Sequence, residues 1–178
     1  IHGYIEPKVS RLALGLIFQF TTGTTSEKLY WSYVLWKRNN FMESKRLHKQ
    51  VRKDIFPKTL LSIIRKYEAE RLKPTVIELG SGPLSDLASG VEAGLIEVIA
   101  IDPLANEYNK ILKRRNISFP IRPEQGSGEE LSLPEDSFDI AYLKNSLDHT
   151  SDPRKCVLNL VRVLKLKGYL YIHSNVRE

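Results

Sequence analysis

An apolar run, Val76-Ile-Glu-Leu79, passes directly into Gly80-Ser-Gly82, and this junction constrains the fold more than any other stretch of the chain. A run this short and this apolar suits a strand buried on both faces of a parallel sheet. The two glycines allow a tight turn and a close approach of backbone to a ligand. A second apolar run, Ile96 to Ile101, ends in Asp102, which follows Gly80 by 22 positions. That is close to the roughly 20 residues taken up by a glycine turn, one helix and the next strand, and it places an acid to accept hydrogen bonds from vicinal ribose hydroxyls. Single residues here also have structural readings: Glu78 as a strand-end acid, Asp102 as a cap on the turn through Pro103, the glycines as ordinary turn residues.

The loop is not a dinucleotide fingerprint. The third glycine position of G-x-G-x-x-G is Ser85, and Pro83 removes a backbone donor that a pyrophosphate would use. No phosphate loop of the G-x-x-x-x-G-K-[ST] type occurs. A nicotinamide-dependent oxidoreductase is disfavoured, and an adenosine ligand without phosphates is the better fit.

From about residue 55 to 174 the chain resembles the class I S-adenosylmethionine-dependent methyltransferases, in particular the small-molecule enzymes. The resemblance rests on Glu78-Leu-Gly-Ser-Gly82, Asp102, the stretch Gly126 to Asp139, Asn145-Ser-Leu-Asp-His149, Asp152-Pro153 and Arg162 to Gly168, in that order. It implies that Gly80 and Gly82 admit the methionine portion of S-adenosyl-L-methionine, with Glu78 and Ser81 contacting its charged end and Asp102 holding the ribose. Ser127, Gly128 and Glu129 occupy the slot where the family reads the adenine amino group, and Lys144, Asn145 and Ser146 the segment that approaches the methionine and the transferred methyl. Leu84 departs from the pattern, standing where many relatives have a third glycine. Asp148 and His149 follow the fourth strand near the expected methyl position, where His149 could serve as a general base or the pair could cap the turn. No metal ligands are assigned.

Periodicity predicts alternating elements. A helix carries Phe56, Leu60, Ile63, Ile64 and Tyr67 and closes at Lys73-Pro74. Strands are expected at 76–79, 96–101, 117–122, 138–143 and 169–173, with a helix from Pro153 to Leu164 that Asp152 caps. The fold class is α/β, a Rossmann-like parallel sheet with helices on both faces. Five strands leave the family's sixth and seventh uncounted, so the sequence is expected to be a fragment lacking them. The expected division is a helical lid or substrate segment over residues 1–54 and an S-adenosylmethionine-binding domain over 55–178.

Composition suits one core, with 178 residues and 42% hydrophobic content. The single cysteine, Cys156, lies on a helical stripe with Leu160 and Leu164 and reads as a buried small hydrophobe. It points to a reducing, cytoplasmic setting, and Asn116-Ile-Ser118 reads as an accidental glycosylation match. The apolar run Leu12 to Phe20 is less than half of the ~20 residues a membrane helix needs, so no membrane role is expected. Tyr30, Trp31, Tyr33, Trp36 and Phe41 fall within twelve positions and suggest an aromatic lid, against the plainer reading of a packed helix. The net charge of +6 is concentrated from Lys37 to Lys53, where seven basic residues accompany one acid, Glu43. Such a run attracts anions or nucleic acid, or is simply a solvated helix face. No nucleic-acid-binding signature is present, so the expected partner is a small-molecule acceptor, with an RNA acceptor or a non-catalytic binding subunit as alternatives. Oligomeric state is not assigned.

Overall fold

In the computed structural model, residues 27–32 and 58–173 are described. The chain runs α1 (Lys58–Ala69), β1 (Thr75–Leu79), α2 (Ala88–Glu92), β2 (Glu97–Asp102), α3 (Ala105–Arg114), β3 (Glu124–Gln125), β4 (Phe138–Lys144), α4 (Pro153–Val163) and β5 (Leu164–His173). Residues 27–32 are also helical. The five strands form one parallel sheet in the order β3-β2-β1-β4-β5. Among the described residues, no helix is long and apolar enough to cross a membrane.

Side-chain alternation along the strands builds two cores. Val76, Ala100, Ile140 and Tyr142 face one side, against Leu60, Ile63 and Ile64 of α1 and Ala88 of α2. Ile77, Leu79, Ile101, Ala141 and Leu143 face the other, against Cys156, Leu160 and Val163 of α4. Because both faces are covered, β1 and β4 are mostly apolar, with Glu78 a buried acid among them. Helices α1 and α4 each present one buried stripe, and burying a single Leu or Ile contributes about 1.5–3 kcal/mol. Helix α4 begins as expected: the Asp152 carboxylate accepts the Lys155 N–H at 2.9 Å, and Pro153 takes the first turn.

Two elements differ from the sequence reading. Residues 117–122 do not form the third strand. Ile117 and Ile121 are buried, but as loop residues: Asn116 turns with φ +52°, the Ile117 N–H closes α3 on the Leu112 carbonyl, and Pro120 lacks a donor for any ladder. The strand is the pair Glu124–Gln125, beside Ile101 and Asp102. The fifth strand starts earlier than Tyr169. Its ladder with β4 begins at Phe138 opposite Leu164, then slips so that Ile140 pairs with Tyr169. Gly168 is needed inside this bulge, since a Cβ there would lie 2.9 Å from the Lys165 carbonyl oxygen.

Several motif residues hold the frame rather than a ligand. At the N-terminal edge of the sheet, Asp139 accepts hydrogen bonds from the Thr75 N–H and hydroxyl, each at 2.8 Å, and from Lys165 at 3.0 Å. Burial opposes its ionisation, but these donors outweigh it and hold the carboxyl below its usual range. Arg162 donates to the Leu131 and Leu133 carbonyls, tying the loop before β4 to α4.

Candidate functional site

Strand order reverses between β1 and β4, and in open parallel sheets the crevice at the carboxyl ends of such strands is where ligands bind. Most of the residues singled out in the sequence converge there. Gly80, with φ +68°, donates its N–H to the Ile101 carbonyl at 2.8 Å. A Cβ on Gly80 would sit 2.2 Å from the Ser146 Cβ, so the turn after β1 and the turn after β4 touch only because residue 80 has no side chain. The Ser146 hydroxyl fastens that contact by donating to the Leu79 carbonyl at 3.0 Å. Asn145, in the left-handed region at φ +51°, donates its backbone N–H to the His173 carbonyl, so β5 also steadies the turn.

Asp102 is almost fully buried, and its carboxylate spans two backbone donors. One oxygen accepts the Gly82 N–H at 2.9 Å, the other the Leu104 N–H at 2.8 Å. Burial pushes its pKa up while these two donors pull it down, with a net rise. Both structural and binding readings of Asp102 are compatible with this geometry, because each carboxylate oxygen keeps acceptor capacity beyond its one bond. The Ser81 hydroxyl turns back onto the Gly82 carbonyl at 3.0 Å.

Glu78 is 4% exposed, on the face shared with Tyr142, its ladder partner in β4. Its carboxylate accepts the Ser85 hydroxyl, and Ser85 in turn accepts the Leu87 N–H at 3.0 Å. Burial raises the Glu78 pKa to about 7; the Ser85 bond and Lys144 work against the rise, Asp86 and Asp102 add to it. At the rim, Lys144 pairs with Asp86 at 2.5 Å, joining the end of β4 to the loop after β1. The sequence alone does not mark Asp86 or the buried Tyr142 hydroxyl, which has no hydrogen-bond partner among the described residues. Ser85 was visible only as a missing glycine, and Asp86 is recognisable only through its partner.

The loop after β3 is oriented differently from the rest. A Cβ on Gly128 would lie 2.1 Å from the Cys156 Sγ and 2.9 Å from a Leu79 methyl, so this glycine serves the packing of α4. Ser127 donates to the Glu129 carboxylate and accepts the Glu129 N–H, while the other Glu129 oxygen accepts the Ser151 N–H at 2.9 Å. The Ser127 hydroxyl and the backbone donors lower the Glu129 pKa to about 2. Its carboxylate therefore ties this loop to the residues leading into α4. Asp148 and His149 lie on a short 3-10 turn after β4, with side chains 59% and 69% exposed and 3.8 Å apart.

The described N-terminal residues also reach the site. Trp31 lies against Gly82 and meets the ring of Tyr108 edge-on, with centroids 6.2 Å apart. Tyr30 packs edge-on against Trp31 and is 41% exposed. Tyr33, Trp36, Phe41, Phe56, the Leu12–Phe20 run and the basic run from Lys37 lie outside the described residues.

Helix α2 starts six positions beyond Gly82, so no helix N-terminus stands directly behind the glycine turn to receive a pyrophosphate. Comparison with known proteins agrees with a ligand of another kind. Residues 77–172, more than half of the chain, match a family described as Methyltransferase domain. A stretch of 114 residues is 46% identical to the uncharacterized methyltransferase YcgJ of Bacillus subtilis strain 168, covering 61% of this chain and 43% of that protein. The chain thus spans less than half the length of this curated relative. A crystal structure from Methanococcus maripaludis, described as "a putative S-adenosyl-L-methionine-dependent methyltransferase", shares the fold with a TM-score of 0.52 at 21% identity, over 76% of this chain and 61% of that one. A Haloferax volcanii protein described as "the putative methyltransferase", solved with the Trm112 methyltransferase activator, gives 0.50 at 19% identity, over 80% and 58%.

Proposed function

The chain belongs to the class I S-adenosylmethionine-dependent methyltransferase family, and on that premise we propose that it binds S-adenosylmethionine at the β1/β4 crevice and passes the methyl group to a small-molecule acceptor. The observation that carries the binding reading is the joint between the Gly82 N–H and the Asp102 carboxylate at the carboxyl ends of β1 and β2. It sets a bare backbone turn beside an acid with acceptor capacity to spare, which suits a ligand with a vicinal diol.

The remaining residues fit the cofactor's other end. Glu78, a buried carboxylate with one neutral donor, is the natural counter-charge for an ammonium group. Lys144, whose pairing with Asp86 leaves it partly exposed at the rim, is the nearby cation for a carboxylate. Ser127 and the backbone around Gly128 remain the residues proposed for the adenine edge, with the Glu129 carboxylate already engaged by Ser151.

When bound, the cofactor supplies a methyl group on a cationic sulfur, which departs as a neutral thioether carrying the electron pair of the broken carbon–sulfur bond. The protein's task is then to hold the two centres in line and exclude water. Where the acceptor must lose a proton, His149 is proposed to receive it, and its exposed position after β4 leaves it open to an incoming acceptor. Of the described N-terminal aromatic residues, Tyr30, which is 41% exposed, is proposed to shape the acceptor side. Parallel incubations of a methyl-labelled donor with a panel of small oxygen, nitrogen and carbon nucleophiles and with total RNA test this function. Label appearing in a small molecule supports it, label in RNA contradicts the acceptor class, and tight donor binding without transfer to any acceptor indicates a non-catalytic subunit.

A further inference from the structure

The helical residues 27–32 present one face to the body of the protein: Glu27, Lys28, Trp31 and Ser32 are partly buried, while Leu29 and Tyr30 are 47% and 41% exposed. Positions four apart share a helix face, so Glu27 and Trp31 point the same way. Both converge on Tyr108, which is fully buried. The Tyr108 hydroxyl donates to Glu27 Oε1 at 3.1 Å, and the Trp31 ring lies edge-on to the same phenol. Arg115 donates to the Ser32 carbonyl at 3.3 Å, adding a third tie between this segment and the residues around α3. Trp31 also reaches the glycine turn: a Cβ on Gly82 would lie 3.0 Å from Trp31 Cζ2. The Gly82 N–H, in turn, is bonded to Asp102.

From this convergence we infer that Glu27 and Trp31 are cofactor-positioning residues, forming the outer wall of the ribose pocket and holding the nucleoside against Asp102. The inference rests on the cofactor reading above and adds residues to it. Two carboxylates, Glu27 and Asp102, flank Tyr108, and the charge of Glu27 adds to the upward pressure on the Asp102 carboxyl. Such a pair favours a neutral ligand part rich in donors, and a vicinal diol is one. Trp31 adds a flat apolar surface beside a turn without side chains, which keeps water from the bonds beneath it.

The test uses the full chain with Trp36→Phe, leaving Trp31 as the single tryptophan of the two in the sequence, and S-adenosylhomocysteine as the probe. Trp31 emission is expected to change on titration, with the same midpoint as calorimetry. Trp31→Ala and Glu27→Ala are expected to weaken binding about five- to tenfold, with Trp31→Phe recovering most of the loss. Each variant is titrated well below its own melting temperature, and recovery of affinity by Trp31→Phe separates positioning from a loss of folded protein. If the parent binds the probe while Trp31 emission stays constant and both alanine variants bind equally well, the wall is not there. Tighter binding by Trp31→Ala also overturns it, because the ring would then be a plug. A parent chain that does not bind the probe contradicts the cofactor reading and the wall together.

Discussion

Gly82 and Asp102, twenty residues apart, are joined by a hydrogen bond of 2.9 Å from the glycine N–H to the carboxylate. The turn after β1 and the acid at the end of β2 therefore hold each other, and a change at either one is felt at both. This link makes the glycine turn and the distant acid a single structural unit.

Replacing Asp102 with alanine strands the Gly82 and Leu104 N–H groups, both bonded to its carboxylate. That loss falls on stability; removal of the carboxylate's proposed hydrogen bonds to the ribose, about 1.5–3 kcal/mol each, is expected to lower S-adenosylhomocysteine affinity about 100-fold. Asp102→Asn keeps one acceptor oxygen and should lie between the two. Calorimetric titration of the three proteins checks this, and equal affinities remove the ribose assignment.

Glu78 predicts a stability that falls as pH rises. Burial raises its pKa to about 7 in the folded protein from an ordinary 4.5, so the folded state binds the proton more tightly than the unfolded chain. Its stabilising contribution is complete below about pH 4.5 and is lost as pH climbs through about 7, a loss of up to about 3 kcal/mol. The raised Asp102 carboxyl acts in the same direction. Denaturation at a series of pH values should show the decline in the parent and a shallower one in Glu78→Gln. Cofactor affinity should run the other way, strengthening from pH 6 to 8 in the parent as Glu78 ionises to meet an ammonium, and staying flat in the variant.

Gly128→Ala places a methyl on the Cys156 sulfur, 2.1 Å from the built Cβ. Overpacking of this kind costs about 1–3 kcal/mol. Adding Cys156→Ala removes the sulfur, so the double variant should be more stable than the sum of the single effects allows. Urea unfolding of the four proteins reads the coupling directly, and strict additivity means the two residues do not touch.

The His149 side chain is 69% exposed, on the short turn after β4. His149→Ala should leave S-adenosylhomocysteine affinity within about twofold. Methyl transfer to an acceptor that must lose a proton should slow by about 100-fold. Equal turnover assigns Asp148 and His149 to the turn alone.

What was legible in the sequence is what local pattern encodes. β1, β2 and β4 were visible as apolar runs because a doubly covered parallel strand tolerates little else. The Asp152-Pro153 start of α4 was visible because a cap and a first-turn proline act within a few residues. The third strand lies at 124–125 rather than 117–122, because Ile117 and Ile121 are buried without being paired and apolar pattern alone does not distinguish a strand from an apolar loop. The same limit applies inside the site. Ser85 matters through Glu78, Asp86 through Lys144, and Glu129 reaches Ser151, all contacts that depend on the folded arrangement. Trp31 stood out as an aromatic, yet its neighbours Gly82 and Tyr108 could be known only from the structure.

The central claim is that the Gly82 turn and Asp102 together hold an adenosyl ligand without phosphates. Calorimetric titration of the chain with S-adenosylhomocysteine and, separately, with NAD tests it most directly. The account predicts saturable one-to-one binding of S-adenosylhomocysteine and none of NAD; binding of NAD alone, or of neither, contradicts it.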